Sequence, residues 1–470
     1  MKKLASFLFI VTSASLVQAD ATGTSSVSKP NDPLYHEQER YLQTIGMEIL
    51  LQSQTAATTV ADFVVVTIDT GVDCTHPDLA MNVDMVHSKS FAGGNPCVDD
   101  FAPNTPYFGH GTKVAGFITA QSDNGIGIAG VGARLVAFQT ASKSFNGIGD
   151  PHLAALQAVR NLPHKLVIVN ASFITGDYPA MREAIAALKD KALIVAGAGN
   201  NLRDAGAEKY WPCSASNLFP HVVCVGGLGY DNRLSAWANY GSVVNLVAPA
   251  DLIMTTSPGG GYEKVSGTSF ATSLVTGLVA AVVKQALVER TPISDITPAM
   301  LKEALLAGAK FNPFLLESYP LWQIQKPHHA WAPGMWRNLQ LILSGQLVEP
   351  SALLPMNVVG INEALTGRRE FIAGDWISIW GENFSDKIFR ADIPPFPETL
   401  DNIQVLLNGK PLPLNYVSPN QINVLLPTDP VWLWPQPTQN TLILVRLNAN
   451  GEVETDSAVL LPKFSVNYQR

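Results

Sequence analysis

The stretch "FVVVTIDTGVDCTHPDL", residues 63–79, decides how this chain folds. Its opening "FVVVTI" is mostly apolar and β-branched, without the polar alternation of a half-exposed strand. That predicts a strand covered on both faces. Four more segments share the character: "KLVIVNAS" (165–172), "ALIVAGAG" (192–199), "HVVCVGGL" (221–228) and "VNLVAPA" (244–250). Between them, 152–160 and 180–189 read as helices. Apolar strands alternating with helices predict an α/β fold, a mostly parallel sheet with helices on both faces. Sites in such sheets sit at the carboxyl ends of strands. Asp69 and Asn200 occupy such ends.

Beyond about residue 310 the pattern changes. Residues 311–357 are rich in Pro and Trp and read as a closing segment plus linker. From 358 to 470 the strands are short and the turns frequent. "DWISIWGENF" and "NIQVLLNGKPLPLNYVSPNQINVLLP" alternate apolar with polar residues, "NG" at 408–409 marks a tight turn, and "TLILVRLNANGEVETDSAVLL" reads as a second hairpin. A small β-sandwich is expected there.

The chain begins "MKKLASFLFIVTSASLVQADA". Two lysines, a short apolar run and Val17-Gln18-Ala19 fit a signal peptide over 1–19, cleaved before Asp20. A secreted or periplasmic protein of bacterial-type export is expected, its mature N-terminal arm spanning 20–60 and the α/β domain 61–310. Losing the two lysines would take the formal charge from −8 to −10. An acidic chain lacks the Lys/Arg excess that neutralises phosphates, so nucleic acid is not an expected partner. No later segment reads as long enough to span a bilayer, so no transmembrane segment is expected. Composition, 47% apolar and 15% charged, is that of a folded protein. The four cysteines allow three pairings, and proximity favours Cys74–Cys97 and Cys213–Cys224. No C-x-x-C pair exists, and "HEQER" (36–40) lacks the second His of a zinc-protease motif.

"SGTSFATSLVTGLVAAVV" (266–283) sets five hydroxyl residues before a small-residue run whose helix is expected over 276–287. Hydroxyls cap helices, which alone would explain them. A nucleophile needs more: a base, a group orienting the base, and oxyanion donors. The chain offers each. Asp69 follows the first strand, His110 lies in "FGHGTKVAGFITA", Asn200 ends "VAGAGN", and Ser269 sits in "SGTSFAT". Asp can hold the imidazole tautomer, His can take the hydroxyl proton, and Ser can attack a carbonyl. Asn200 and the Ser269 N–H can stabilise the oxyanion, aided by the positive end of the helix. The order Asp, His, Ser is one of the known triad orders.

On "DTGVDCTHPDL", "HGTKVAG", "AGN" and "GTSFAT", residues of about 30–310 resemble the subtilisin-like serine proteases (subtilases). The resemblance implies a serine endopeptidase acting on polypeptides through an acyl-enzyme, with Asp69, His110 and Ser269 as triad, Asn200 as oxyanion residue and no catalytic cofactor. It also implies an extended substrate strand between two edges, one near Gly147 and Gly149, the other at Ser172, Phe173 and Ile174. Asp78 matches a calcium-ligating Asp of many members, and Asn124 in "QSDNGIGIAG" would join it around a structural Ca²⁺.

Three departures stand out. Ser273 replaces the family's usual Pro after the nucleophile, "NASFITG" replaces a Gly-rich wall, and the interval between Ala19 and "NDPLYHEQERYLQTIG" fits no pro-domain. They motivate an alternative, an impaired scaffold that binds without cleaving. A single D-T-G cannot make the paired carboxylates of an aspartic protease. The segment 358–465 resembles TIG-type immunoglobulin-like domains, a resemblance that leaves a surface or carbohydrate partner as the expectation there.

Overall fold

The computed structural model describes residues 29–53, 62–98, 101, 105, 107–142, 149–311, 328–330, 332–344, 357–363, 376–382, 384–385, 388–391, 394–407, 410–426, 440–447 and 453–461. The expected signal peptide, Gly147 and the turn at 408–409 lie outside these residues.

The opening stretch forms β1 (Phe63–Asp69), buried along its whole length. It pairs in parallel with β3 (Leu135–Gln139) on one side and β4 (Leu166–Ala171) on the other. Beyond β3 lies β2 (Lys89–Ser90). Beyond β4 follow β5 (Ala192–Gly197), β6 (Val222–Leu228) and β7 (Leu246–Pro249), all parallel. Short strands β10 (Lys310–Phe311) and β11 (His328–His329) complete a nine-stranded sheet, with β10 and β11 mutually antiparallel. An antiparallel hairpin, β8 (Ile253–Ser257) with β9 (Gly261–Val265), stands apart from it.

Side-chain alternation divides the sheet into two apolar layers. Val65, Leu135, Ile168 and Val195 enter one layer; Val64, Val66, Ile68, Val136 and Val167 enter the other. The first layer is covered by α1 (Tyr35–Thr44), α2 (Met47–Ser53), α3 (His110–Thr119), α6 (Thr268–Val288), α7 (Pro298–Ala307) and α8 (Ala332–Leu343). The second is covered by α4 (Pro151–Val159) and α5 (Pro179–Ala186). The α/β architecture with helices on both faces is therefore as the sequence predicts.

Three boundaries differ from the sequence reading. The helix expected over 276–287 begins at Thr268, because the hydroxyl cluster forms its first turns. The N-terminal arm is helical and seats Tyr35, Leu42, Ile45 and Met47 in the first layer. The closing segment reaches Leu343, with Met335, Trp336 and Leu339 in that same layer. Helix α6 also corrects the membrane reading. At 21 residues with mean hydropathy 1.6 it is long and apolar enough to cross a bilayer. Every residue from Thr268 to Val283 is instead buried in the protein.

The C-terminal strands form two antiparallel sheets. One orders β12 (Asn357–Glu363), β13 (Trp376–Glu382), β18 (Gln421–Leu425), β17 (Leu414–Val417) and β14 (Phe389–Arg390). The other orders β16 (Lys410–Pro411), β15 (Ile403–Leu407), β19 (Asn440–Leu447) and β20 (Val453–Leu461). Ile377, Ile379, Ile422 and Val424 from the first meet Ile403, Val405 and Leu444 from the second in one core. The β19–β20 pairing is the second expected hairpin.

Candidate active site

Asp69 is the last residue of β1, so its carboxylate emerges at the sheet's carboxyl edge. The carboxylate is buried, and its Oδ1 lies 2.7 Å from His110 Nδ1 and accepts the Thr70 N–H at 2.7 Å. Its Oδ2 is also buried and has no partner among the described residues. The imidazole is thus oriented through Nδ1, which leaves Nε2 for a substrate-side proton. His110 opens α3 after Gly109, whose φ of +69° is left-handed. Gly111 must lack a side chain: a Cβ there would stand 2.0 Å from the Gly71 carbonyl oxygen. Its N–H donates to Thr70 Oγ1 at 2.9 Å, docking the start of α3 onto the loop after Asp69.

Ser269 is the second residue of α6 and only 9% exposed. The following Phe270 ring lies 5.8 Å from the His110 ring, so the start of α6 meets the start of α3. The first N–H groups of a helix lack intrahelical partners. The Ser269 N–H is one of these first-turn groups.

Asn200 lies in the loop after β5, and its amide orientation is fixed by a residue the sequence reading passed over. Thr268 N–H and Thr268 Oγ1 both donate to Asn200 Oδ1 at 2.9 Å, while Thr268 Oγ1 accepts the Gly199 N–H at 3.1 Å. With Oδ1 occupied, the amino group of Asn200 is the free end; it lies 3.8 Å from the Cβ position of Gly267, at the start of the Ser269 helix. Asn239 holds the same loop. Its Nδ2 donates to Ala198 O, and its Oδ1 accepts the Asn201 and Arg203 N–H groups. Neither Thr268 nor Asn239 has a spacing signal of its own, because their partners lie 68 and 38 or 41 residues away.

The wall "SFIT" is tied to the same helix. Ser172 Oγ donates to the Ser269 carbonyl at 3.2 Å and accepts from Asn170 Nδ2 at 2.8 Å. Asn170 Oδ1 in turn accepts from Thr276 Oγ1 at 2.9 Å. Thr175 pairs with Trp211 through two backbone bonds. Ile174 is 44% exposed, so it does not turn into the core. Its Cδ1 comes within 3.0 Å of the Cβ position of Gly199, next to Asn200. Phe173 stacks on His152 with ring centroids 4.3 Å apart. Burial holds the His152 imidazole below its usual range, against the pull of Asp150 and Asp69. Gly149 has φ +82° and open space where a side chain would be. Ser273, which departs from the family's Pro, is buried and donates to the Phe270 carbonyl at 3.0 Å.

Both disulfides take the pairing that proximity favours. Cys74–Cys97 closes the loop beside Asp69, where Val72 N–H also donates to Pro96 O, and Cys213–Cys224 braces β6.

The described residues contain no group of three His, Cys, Asp or Glu that could hold a metal. The expected calcium position has a different composition. Asp78 is buried, and burial raises its carboxyl above the usual range against the opposing pull of Ile128 N–H, Asn124 Nδ2, Tyr262 OH and nearby His76. Asn124 Oδ1 accepts the Ile126 N–H. Asp32 takes the Asp123 and Asn124 N–H groups from the other side of the loop, and burial raises it too. Two buried carboxylates holding one loop, Asp78 and Asp32, are hard oxygen donors of the kind Ca²⁺ takes. Asn124 would join only with its amide turned.

Comparison with known proteins agrees with this geometry. Residues 61–326 match the family model described as "Subtilase family". The chain is 33% identical to the major intracellular serine protease of Bacillus subtilis (strain 168) over 222 residues, 46% of this chain and 67% of that protein. It is 32% identical to the intracellular serine protease of Paenibacillus polymyxa, covering 46% of this chain and 65% of that protein, so it spans about two thirds of these relatives. A solved structure of a protease from Pseudoalteromonas arctica PAMC 21717 shares the fold, with TM-score 0.52 and 21% identity over 66% of this chain and 100% of that one. From its family match and its serine-protease relatives, the chain belongs to the subtilase family of serine-type endopeptidases.

Proposed function

We propose that this protein cuts polypeptides through an acyl-enzyme on Ser269. One observation carries the reading: Asp69 at the carboxyl end of β1 lies 2.7 Å from His110 Nδ1, where α3 meets the first turn of α6, which holds Ser269. In this mechanism His110 Nε2 takes the Ser269 hydroxyl proton as Oγ attacks the scissile carbonyl. Asp69 stabilises the resulting imidazolium and keeps its tautomer. Asn200 Nδ2 and the Ser269 N–H receive the oxyanion. The imidazolium then protonates the leaving amine, and a water deprotonated by His110 hydrolyses the ester. The substrate lies as an extended strand between Gly149 and Ser172–Thr175, with Ile174 narrowing that path. The signal-peptide pattern supports secretion, and the buried carboxylates of Asp78 and Asp32 support a structural Ca²⁺ there. The C-terminal sandwich is the part assigned to a partner other than the substrate.

The test combines labelling and sequencing. A serine-directed phosphonate should modify Ser269, and an unfolded protein incubated with the enzyme should show new N-termini. Ser269→Ala should lose both activities, with turnover falling on the order of 10⁶-fold. Unchanged cleavage by the purified variant sinks the assignment. Absence of both label and cleavage in the wild type would favour the non-cleaving scaffold.

A further inference from the structure

The outer face of the C-terminal sandwich carries an organised polar groove. Ile377, Ile379, Ile422 and Val424 point into the core, so the residues between them lie on the sheet's other face, Ser378 itself being buried there. One row crosses four strands: Ser378 opposite Asn423, Asn423 opposite Tyr416, and Tyr416 opposite Arg390. Trp380 opposite Gln421 forms the neighbouring row. A groove of about 350 Å³ opens here, lined by Arg390, Asn415, Tyr416, Gln421 and Asn423.

Two features are those of a binding site. First, the side chains are already arranged. Ser378 Oγ and Gln421 Nε2 both donate to Asn423 Oδ1, at 2.9 and 2.7 Å, so Asn423 Nδ2 and Gln421 Oε1 lie outside that network as a donor and an acceptor. The Arg390 guanidinium carbon lies 5.4 Å from the Tyr416 ring centroid, a cation–π distance that holds the two together. Second, the register slips between Leu414 and Tyr416, making Asn415 the extra residue of a bulge. Bulges re-aim a side chain. Asn415 lines the groove, and its Oδ1 is buried without a partner among the described residues. That acceptor lacks the hydrogen bond buried polar groups ordinarily make, which a ligand hydroxyl entering at the bulge would supply.

We propose that this groove binds an acidic polysaccharide, a glycan whose sugar rings carry carboxylates. Sugar rings present C–H faces that suit Tyr416. Their adjacent hydroxyls need the paired donors and acceptors of Asn415, Gln421 and Asn423. A carboxylate matches the planar fork of Arg390. The charge agrees: the chain has a formal net charge of −8, yet the lining residues include a cation and no carboxylate. An added peptide strand would need an open sheet edge; β17 and β18 are each paired on both sides, and the edge strand β14 is only two residues long. A nucleic acid would need several cations, and the lining supplies one.

Calorimetric titration of the full-length protein tests this with galacturonate, mannuronate and glucuronate oligomers, their methyl esters, and polyglutamate. At least one uronate oligomer should bind, with its ester at least about 10-fold weaker and polyglutamate not binding. Arg390→Gln should cost the acid form about 10-fold and the ester little. Arg390→Lys should be intermediate, and Tyr416→Ala should abolish binding of both forms. Thermal unfolding establishes that each variant folds. The proposal is overturned if no oligomer binds, if ester or polyglutamate binds as well as the acid, or if folded Arg390→Gln and Tyr416→Ala bind like wild type.

Discussion

At the scale of single residues, the site depends on positioning groups as much as on the triad. Thr268 holds Asn200 Oδ1 with both its N–H and its hydroxyl. Thr268→Val keeps shape and N–H but lets the amide rotate. We expect kcat to fall about 10-fold with KM little changed, less than the 10²–10³ typical when an oxyanion donor is removed. Steady-state kinetics beside Asn200→Ala would check the ranking, and a pure KM effect would contradict it. Ile174 makes a second case. It is exposed and lies against Gly199, next to Asn200, where the proposed substrate strand would meet its branched side chain. Ile174→Gly should raise kcat/KM for small peptides several-fold by restoring binding space. A peptide library cleaved equally or more slowly by the variant would rule out that role.

At the scale of elements, α6 combines a reactive start with a buried stem. Near its C-terminal end the Lys284 ammonium donates to the Val131 carbonyl at 2.7 Å, and burial pushes its pKa down to about 8. The folded state therefore releases a proton between about pH 8 and the ordinary 10.5, while the unfolded chain keeps it. Stability from this group is fully present above the unfolded value and is lost as pH falls through about 8. At neutral pH the charged amine is a burial cost. Lys284→Met should thus be more stable than wild type at pH 7, with the advantage shrinking as pH rises past 8. Urea melts at a series of pH values would show it, and a pH-independent difference would contradict it.

At the scale of the whole molecule, the loop at 121–130 joins distant parts. Asp32 from the N-terminal arm and Asp78 from the loop after β1 both hold it, and Tyr262 from the β8–β9 hairpin reaches Asp78. If Ca²⁺ sits there, as proposed, it offsets two buried negative charges at once. Chelation should lower Tm by several degrees, since 1 kcal/mol moves Tm by about 2–4 °C in a domain of this size. Asp78→Asn should remove most of that calcium response. Differential scanning calorimetry with and without Ca²⁺ measures both, and a Tm insensitive to chelator eliminates the site. Without metal the sign reverses the usual acid behaviour. The raised folded-state pKa of Asp78 favours the protonated form, so its contribution improves as pH falls through the folded value towards 3.8.

The sheet, its two covered faces and the Asp69–His110 pair at its carboxyl edge were legible in the sequence. Those features are local: runs such as "FVVVTI" can only be buried on both sides, and Gly71, Gly109 and Gly111 sit where a chain without side chains must pass. What the fold alone settled is which hydroxyl positions Asn200, that α6 starts at Thr268 rather than Thr276, and that the closing segment is helical up to Leu343. It alone brought Arg390, Tyr416 and Asn423 into one row on the sandwich. The physical reason is the same in each case. Periodicity and turn chemistry act over a few neighbouring residues, whereas hydrogen-bond partners 68 residues apart and faces shared across strands exist only once the chain has closed on itself.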